Sequence, residues 1–285
     1  MLTKNAYNKF LFPITVVLLI ILIAIARVMW GFGYYGVDPL EEYSDIWHTI
    51  SGLGDWEQSP IGFIYFQFWG LVFGIFIIHI LPYIHQRMAS FGDEPFSYGA
   101  PFVDNIMKNV IAKLKLKAIH NVKIGTFFLL LGGIGFILMG FFPADALPIR
   151  GLHEASAGVG FGGIFFANMW YSRVLGMVSK QGKVSRKLHI AMQAIWLFLI
   201  VGTAVTYLIA ELYYKELYDL GWYDIDWGEA GVPWIFSFAV WERIGFITGC
   251  AYLGLMGYLL PAEVIRIANN NKRAVVDTIE EKKVE

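Results

Sequence analysis

The sequence predicts an all-α polytopic membrane protein, a single domain over residues 1–285 with six transmembrane helices and both termini in the cytoplasm. Three observations predict it. Six stretches are long and apolar enough to cross a bilayer, the charges between them are sorted by sign, and 57% of the residues are hydrophobic against 16% charged. With a mean hydropathy of +0.55, little polar sequence remains from which a separate soluble domain would be built.

The stretches are 11–30, 61–84, 124–142, 155–178, 188–210 and 239–260. A helix rising about 1.5 Å per residue needs about 20 apolar residues to cross a hydrocarbon core of roughly 30 Å, and each stretch approaches or exceeds that length. The first follows Lys4 and Lys9 and contains Ala24-Ile25-Ala26, a small-x-small pattern of the kind signal peptidase cuts, but we expect it to be retained as a span. Glycines recur in the later spans: Gly132, Gly133 and Gly135 in the third, Gly158 and Gly162 in the fourth, Gly245 and Gly249 in the sixth. Small residues let helix backbones approach, so close packing is expected there, with a groove for a lipid chain as the functional alternative. No internal repeat is evident, which argues against an inverted-repeat transporter.

The connectors set the orientation. Between the second and third spans lie Arg87, Lys108, Lys113, Lys115, Lys117 and Lys123; between the fourth and fifth lie Lys180, Lys183, Arg186 and Lys187; the tail holds Arg266, Lys272, Arg273, Lys282 and Lys283. The odd connectors carry only Arg150 and Lys215, so the positive-inside rule places both termini in the cytoplasm of a cell-membrane protein. Carboxylates gather on the other side, and a net charge of −1 conceals two opposed faces. Over 102–120, apolar residues at helical spacing opposite lysines predict an amphipathic segment on the inner leaflet. The outer connectors are 31–60, read as an ordered loop with short turns, and 211–238, whose Trp and Tyr residues suit headgroup depth.

Chemistry is expected where ionisable groups meet the outer interface. His48 and His153 are accompanied there by Asp45, Ser51, Asp55, Arg150, Glu154 and Glu242. This composition suits binding of a lipid headgroup or a cation. A divalent metal on His48 and His153, or general acid–base work, is the enzymatic alternative. No HExxH or HxxxH occurs, and Cys250 is the single cysteine, so a thiolate cluster and an internal disulfide are excluded. Glu154 at a helix start also suits the helix dipole. Glu242, opening the sixth span, needs a neutralising partner, and Arg27 at the outer end of the first span predicts a structural ion pair. Gln67, Asn168 and Gln193, deeper in the spans, read as interhelical hydrogen-bonding groups.

The run Ile50-Ser51-Gly52-Leu53-Gly54, then Pro60 and Ile61-Gly62-Phe63, resembles the "I-S-D-x-G … P … F" feature of the family joining the damage-regulated autophagy modulators, the GPI-remodelling FRAG proteins and SFK. Further marks match in order: Gly140 with Phe142-Pro143, His153 with Ala157, and Trp241-Glu242. Gly52 stands where that pattern has Asp. The same marks resemble the prokaryotic family numbered 998 among domains of unknown function. The resemblance implies six membrane helices and a role in lipid remodelling, phosphoinositide or membrane organisation, or autophagy.

The expected function is therefore binding or handling of membrane lipid through the outer acidic and histidine-bearing cluster. A metal-dependent membrane hydrolase or transferase acting on lipid is the alternative. A b-type haem held by His79 and His189 is a second and less favoured one, since haem needs ligands at matched depth. Membrane lipids are the expected partners, with a homo-oligomer left open. Nucleic acid is excluded, because attraction to the inner leaflet accounts for the basic residues.

Overall fold

The computed structural model describes residues 2–30, 50–54, 59–91, 118–142, 150–180, 182, 184–209, 233–234 and 237–260. Six long helices occur among them: α1 (Lys4–Trp30), α2 (Gly62–Ala89), α3 (Ala118–Phe141), α4 (Arg150–Lys180), α5 (Arg186–Ile209) and α6 (Phe238–Leu259). No strand occurs among the described residues. Helices α1, α2 and α3 are long and apolar enough to cross a membrane, with mean hydropathies of 2.8, 2.0 and 2.2 over their most apolar stretches. This makes the chain a membrane protein by length and composition.

The helices overrun the apolar stretches that announced them. The hydropathy pattern ends the second span at residue 84, but α2 continues to Ala89, because its helical hydrogen bonds do not stop where the side chains become polar. Helix α1 opens through a π-helical turn at Tyr7–Leu11. The cause lies one turn on: Pro13 has no N–H for the carbonyl of Lys9, and its ring crowds that carbonyl, so the turn before it widens. The connection from α4 to α5 turns at Gly182, whose φ of +73° is a left-handed conformation that glycine adopts without a Cβ penalty. Most of the expected segment 102–120 lies outside the described residues, and its last three open α3.

Helix α3 is held between α2 and α4 by glycines on two of its faces. A Cβ added at Gly74 would lie 2.5 Å from the Gly133 carbonyl oxygen, and one at Gly140 would lie 2.7 Å from the Gln67 carbonyl oxygen. On the α4 side, a Cβ at Gly135 would lie 2.7 Å from Gly160 Cα, and one at Gly163 would lie 2.5 Å from Gly132 Cα. All four separations are shorter than ordinary van der Waals contact, so these backbones touch. In lipid, where burying apolar side chains yields no hydrophobic gain, such close dispersion contact is what holds helices together.

The helices alternate in direction, as the contacts at their ends show. At one end, Lys4 Nζ donates to the carbonyls of Tyr258 (2.9 Å) and Leu260 (2.8 Å), so the start of α1 caps the end of α6. At the other end the His153 ring of α4 is tied to the last residues of α3. Helices α5 and α6 pair through a knob and a hole: Trp241 lies against Gly202, where any Cβ would overlap its ring.

Candidate functional site

The outer group is built where α2, α4 and α6 start and α3 ends. Residues Ser51–Gly54 form a 3-10 turn, and the buried Ile50 and Leu53 seat it on the bundle. Gly54 lies so close to the Phe66 ring that a Cβ there would meet Phe66 Cε1 at 2.7 Å. The turn is thereby keyed to the first turns of α2, while residues 31–49 and 55–58 of the expected loop lie outside the described residues.

Glu242 meets this turn. Its carboxylate, half-buried in the first turns of α6, accepts a hydrogen bond of 2.5 Å from the Ile50 N–H. A charged acceptor makes this contact stronger than a neutral one, and it joins the sixth helix to the first outer connector. Arg27 is also half-buried, toward the outer end of α1. Arg243 turns to its own helix, donating from Nη1 to the Ala239 carbonyl at 3.1 Å.

His153 is fully buried, with 0% exposure. Its Nδ1 lies 2.7 Å from the Phe142 carbonyl oxygen, and since a carbonyl only accepts, Nδ1 carries the proton. In the neutral ring Nε2 is then the basic nitrogen, the arrangement that a carbonyl acceptor on Nδ1 imposes on metal-binding or proton-accepting histidines. The Phe66 ring lies 6.1 Å from the His153 ring. Phe66 thus stands between the two halves of the group, touching His153 on one side and the 51–54 turn on the other, with Glu242 bound to the residue before that turn.

Glu154, the next residue, is exposed. Ser51 belongs to the turn and Arg150 opens α4. Asp45, His48 and Asp55, and with them the expected pairing of His48 with His153, lie outside the described residues. Among the described residues no group of three His, Cys, Asp or Glu side chains comes together as a metal site.

An apolar floor lies beneath. Phe66 stacks on Trp69 with ring centroids 5.6 Å apart, Trp69 meets Phe246 at 4.9 Å, and Phe73 meets Phe136 at 4.7 Å and Phe246 at 5.4 Å. Phe136 in turn packs on Phe161 at 5.1 Å. These rings come from α2, α3, α4 and α6 and close the bundle below the outer group.

Toward the C-terminal end of α4 the structure shows a charge that the sequence reading passed over. Arg173 of α4 is 0% exposed, donates from Nη1 to Asn121 Oδ1 at 2.7 Å, and lies 5.4 Å from the Trp170 ring. A single charge inside an otherwise apolar stretch is the signal that should have singled it out. Asn168, expected to bond across helices, instead accepts from Ser172 in its own helix at 2.8 Å. Of the two histidines considered for haem, His79 is exposed on α2 whereas His189 is buried on α5.

No protein-family model, curated protein or solved structure matches the chain.

Proposed function

We propose that the protein is a six-span membrane protein that binds a lipid headgroup or a cation at its outer face, with Glu242 and His153 as the charged and titratable centres. The observation that carries this reading is the hydrogen bond from the Ile50 N–H to the Glu242 carboxylate. It draws the end of the acidic first connector onto the start of α6, above the ring that also contacts His153. In the sequence, Asp45, His48 and Asp55 lie within six residues of the bound turn. Six antiparallel helices, with the start of α1 bonded to the end of α6, support two termini on one side, and the lysine distribution supports that side being cytoplasmic.

A metal-dependent hydrolase or transferase is the second reading, favoured by one observation: the bond from His153 Nδ1 to the Phe142 carbonyl leaves Nε2 as the basic nitrogen.

Glu242→Gln tests the first reading, because Gln retains a carbonyl acceptor for the Ile50 N–H while removing the charge. In the binding reading the variant keeps its melting temperature in detergent within about 2 °C, the shift of a contribution below 1 kcal/mol, and loses the stabilisation that added phosphatidylethanolamine or a divalent cation gives the parent. If Glu242 instead serves only to neutralise Arg27, the single variant melts lower, and Arg27→Met with Glu242→Gln recovers part of the loss. That outcome would sink the binding reading.

A further inference from the structure

A layer of tyrosines crosses the inner half of the bundle, far from the outer group. Tyr7 of α1, Tyr83 of α2, Tyr171 of α4 and Tyr252 of α6 are each at most 5% exposed. Tyr7 and Tyr83 stack with ring centroids 4.8 Å apart. Tyr252 is the residue next to Leu253, whose carbonyl accepts from the Tyr7 hydroxyl.

Two of the four hydroxyls are satisfied. Tyr7 donates to the Leu253 carbonyl at 2.6 Å. Tyr171 lies 2.9 Å from Thr126 Oγ1, which also lies 2.8 Å from His85 Nδ1 and donates to the Val122 carbonyl at 2.8 Å. Thr126 has one proton, and with that proton on Val122 it accepts from both Tyr171 and His85. The Thr126 network therefore closes on itself and has no lone pair left for another donor.

The other two hydroxyls are buried without a hydrogen-bond partner among the described residues: Tyr83 and Tyr252. A phenol differs from a phenyl ring here only by its O–H, and burying that group unbonded in a membrane bundle is unfavourable. Phenylalanine fills neighbouring positions of the same bundle, at Phe73, Phe76 and Phe136. The two hydroxyls thus mark positions where an oxygen-bearing partner is worth having.

We propose that Tyr83 and Tyr252 donate hydrogen bonds to an uncharged oxygen acceptor held in the inner half of the bundle, either ordered water or the carbonyl oxygen of a membrane-soluble molecule. Both groups are O–H donors, which favours an acceptor over a cation. The Arg87 guanidinium lies over the Tyr83 ring face at 3.8 Å and donates to the Tyr83 carbonyl. This site is independent of the outer one and shares no residue with it.

The sign of a conservative substitution tests the proposal. Tyr83→Phe and Tyr252→Phe, made in the full-length protein in detergent, remove only the hydroxyl. Tyr7→Phe sets the scale, since it removes a hydrogen bond seen in the structure. With the acceptor present, each variant melts lower than the parent by a shift similar to that of Tyr7→Phe, about 2–4 °C. Melting that is unchanged or higher in both variants means that the hydroxyls are dry and unbonded, and overturns the proposal. Native mass spectrometry separates the two sources: a bound molecule carried by the parent and lost from both variants is the carbonyl ligand, whereas lowered melting with no mass difference beyond the substitution is water.

Discussion

Adding one methyl group at different glycines of α4 should have opposite effects, because the glycines face different surroundings. At Gly163 the new Cβ would lie 2.5 Å from Gly132 Cα and 2.7 Å from the Phe128 carbonyl oxygen. Both are backbone atoms and cannot rotate away, so α3 and α4 must separate by nearly 1 Å to restore normal contact. Overpacking of this kind costs about 1–3 kcal/mol, and separation also forfeits dispersion along the whole interface. The better helix propensity of alanine returns at most about 1 kcal/mol. Gly163→Ala should therefore lower the melting temperature by several degrees, at about 2–4 °C per kcal/mol. At Gly158 and Gly162 nothing lies within 4 Å of the added Cβ. There the propensity term stands alone, and alanine should leave melting unchanged or raise it by about 2–4 °C. Fluorescence-detected size exclusion after heating measures all three variants in one detergent. Equal shifts at Gly158, Gly162 and Gly163 would refute the packing argument, since the three share a helix and differ only in what they face.

Two further outcomes follow from the contacts at the helix ends. Cysteines placed at Ser90 and Lys180 should resist a membrane-impermeant thiol reagent in intact cells while one at Glu57 reacts, and labelling at Ser90 from outside would overturn the proposed orientation. Gly202→Ala should separate α5 from α6, because the methyl group would occupy the space of the Trp241 ring; red-shifted or quenched tryptophan emission together with lower melting is expected, and unchanged emission would count against that knob and hole.

How much of this was legible in the sequence depends on the range of the interaction. Hydropathy located each of the six long helices among the described residues, because a long apolar run has few other uses, but it missed ends: α2 runs on to Ala89 through His85 and Arg87, whose side chains pack against Thr126 and Tyr83. Glycine spacing marked the third helix as a packing element, and Gly132, Gly133 and Gly135 do pack. The same spacing in the fourth did not distinguish Gly160 and Gly163, which face α3, from Gly158 and Gly162, which do not. A sequence carries the period of a helix but not which side its neighbour occupies. Arg173 was hidden for a different reason: one charge scarcely changes the average of a long apolar window, although its cost in the bundle interior is large enough to require a partner such as Asn121. Asn168 was misjudged because a short side chain in a helix finds Ser172 one turn away before it reaches another helix. His153 and Glu242 were recognisable as outer polar groups, whereas their partners, the Phe142 carbonyl and the Ile50 N–H, are backbone atoms to which no residue type points.

Under the proposed binding function, the aromatic floor favours a site open to one side over one that feeds a pathway across the bundle. A site that feeds a transmembrane pathway needs polar groups continuing inward from it, since an ion or proton crossing a dry apolar layer loses its hydration without compensation. Below His153 and Glu242 the bundle instead closes with Phe66, Trp69, Phe73, Phe136, Phe161 and Phe246, in ring contacts of 4.7 to 6.2 Å. On α2 the residues between Phe73 and Tyr83, about 15 Å at helical rise, carry one ionisable side chain, the exposed His79. The gap is filled by buried side chains such as Phe76, Ile77 and Ile80. Apolar rings thus separate the Glu242–His153 group from the hydroxyl layer, and under the proposed binding function this arrangement favours a ligand that enters and leaves on the same side.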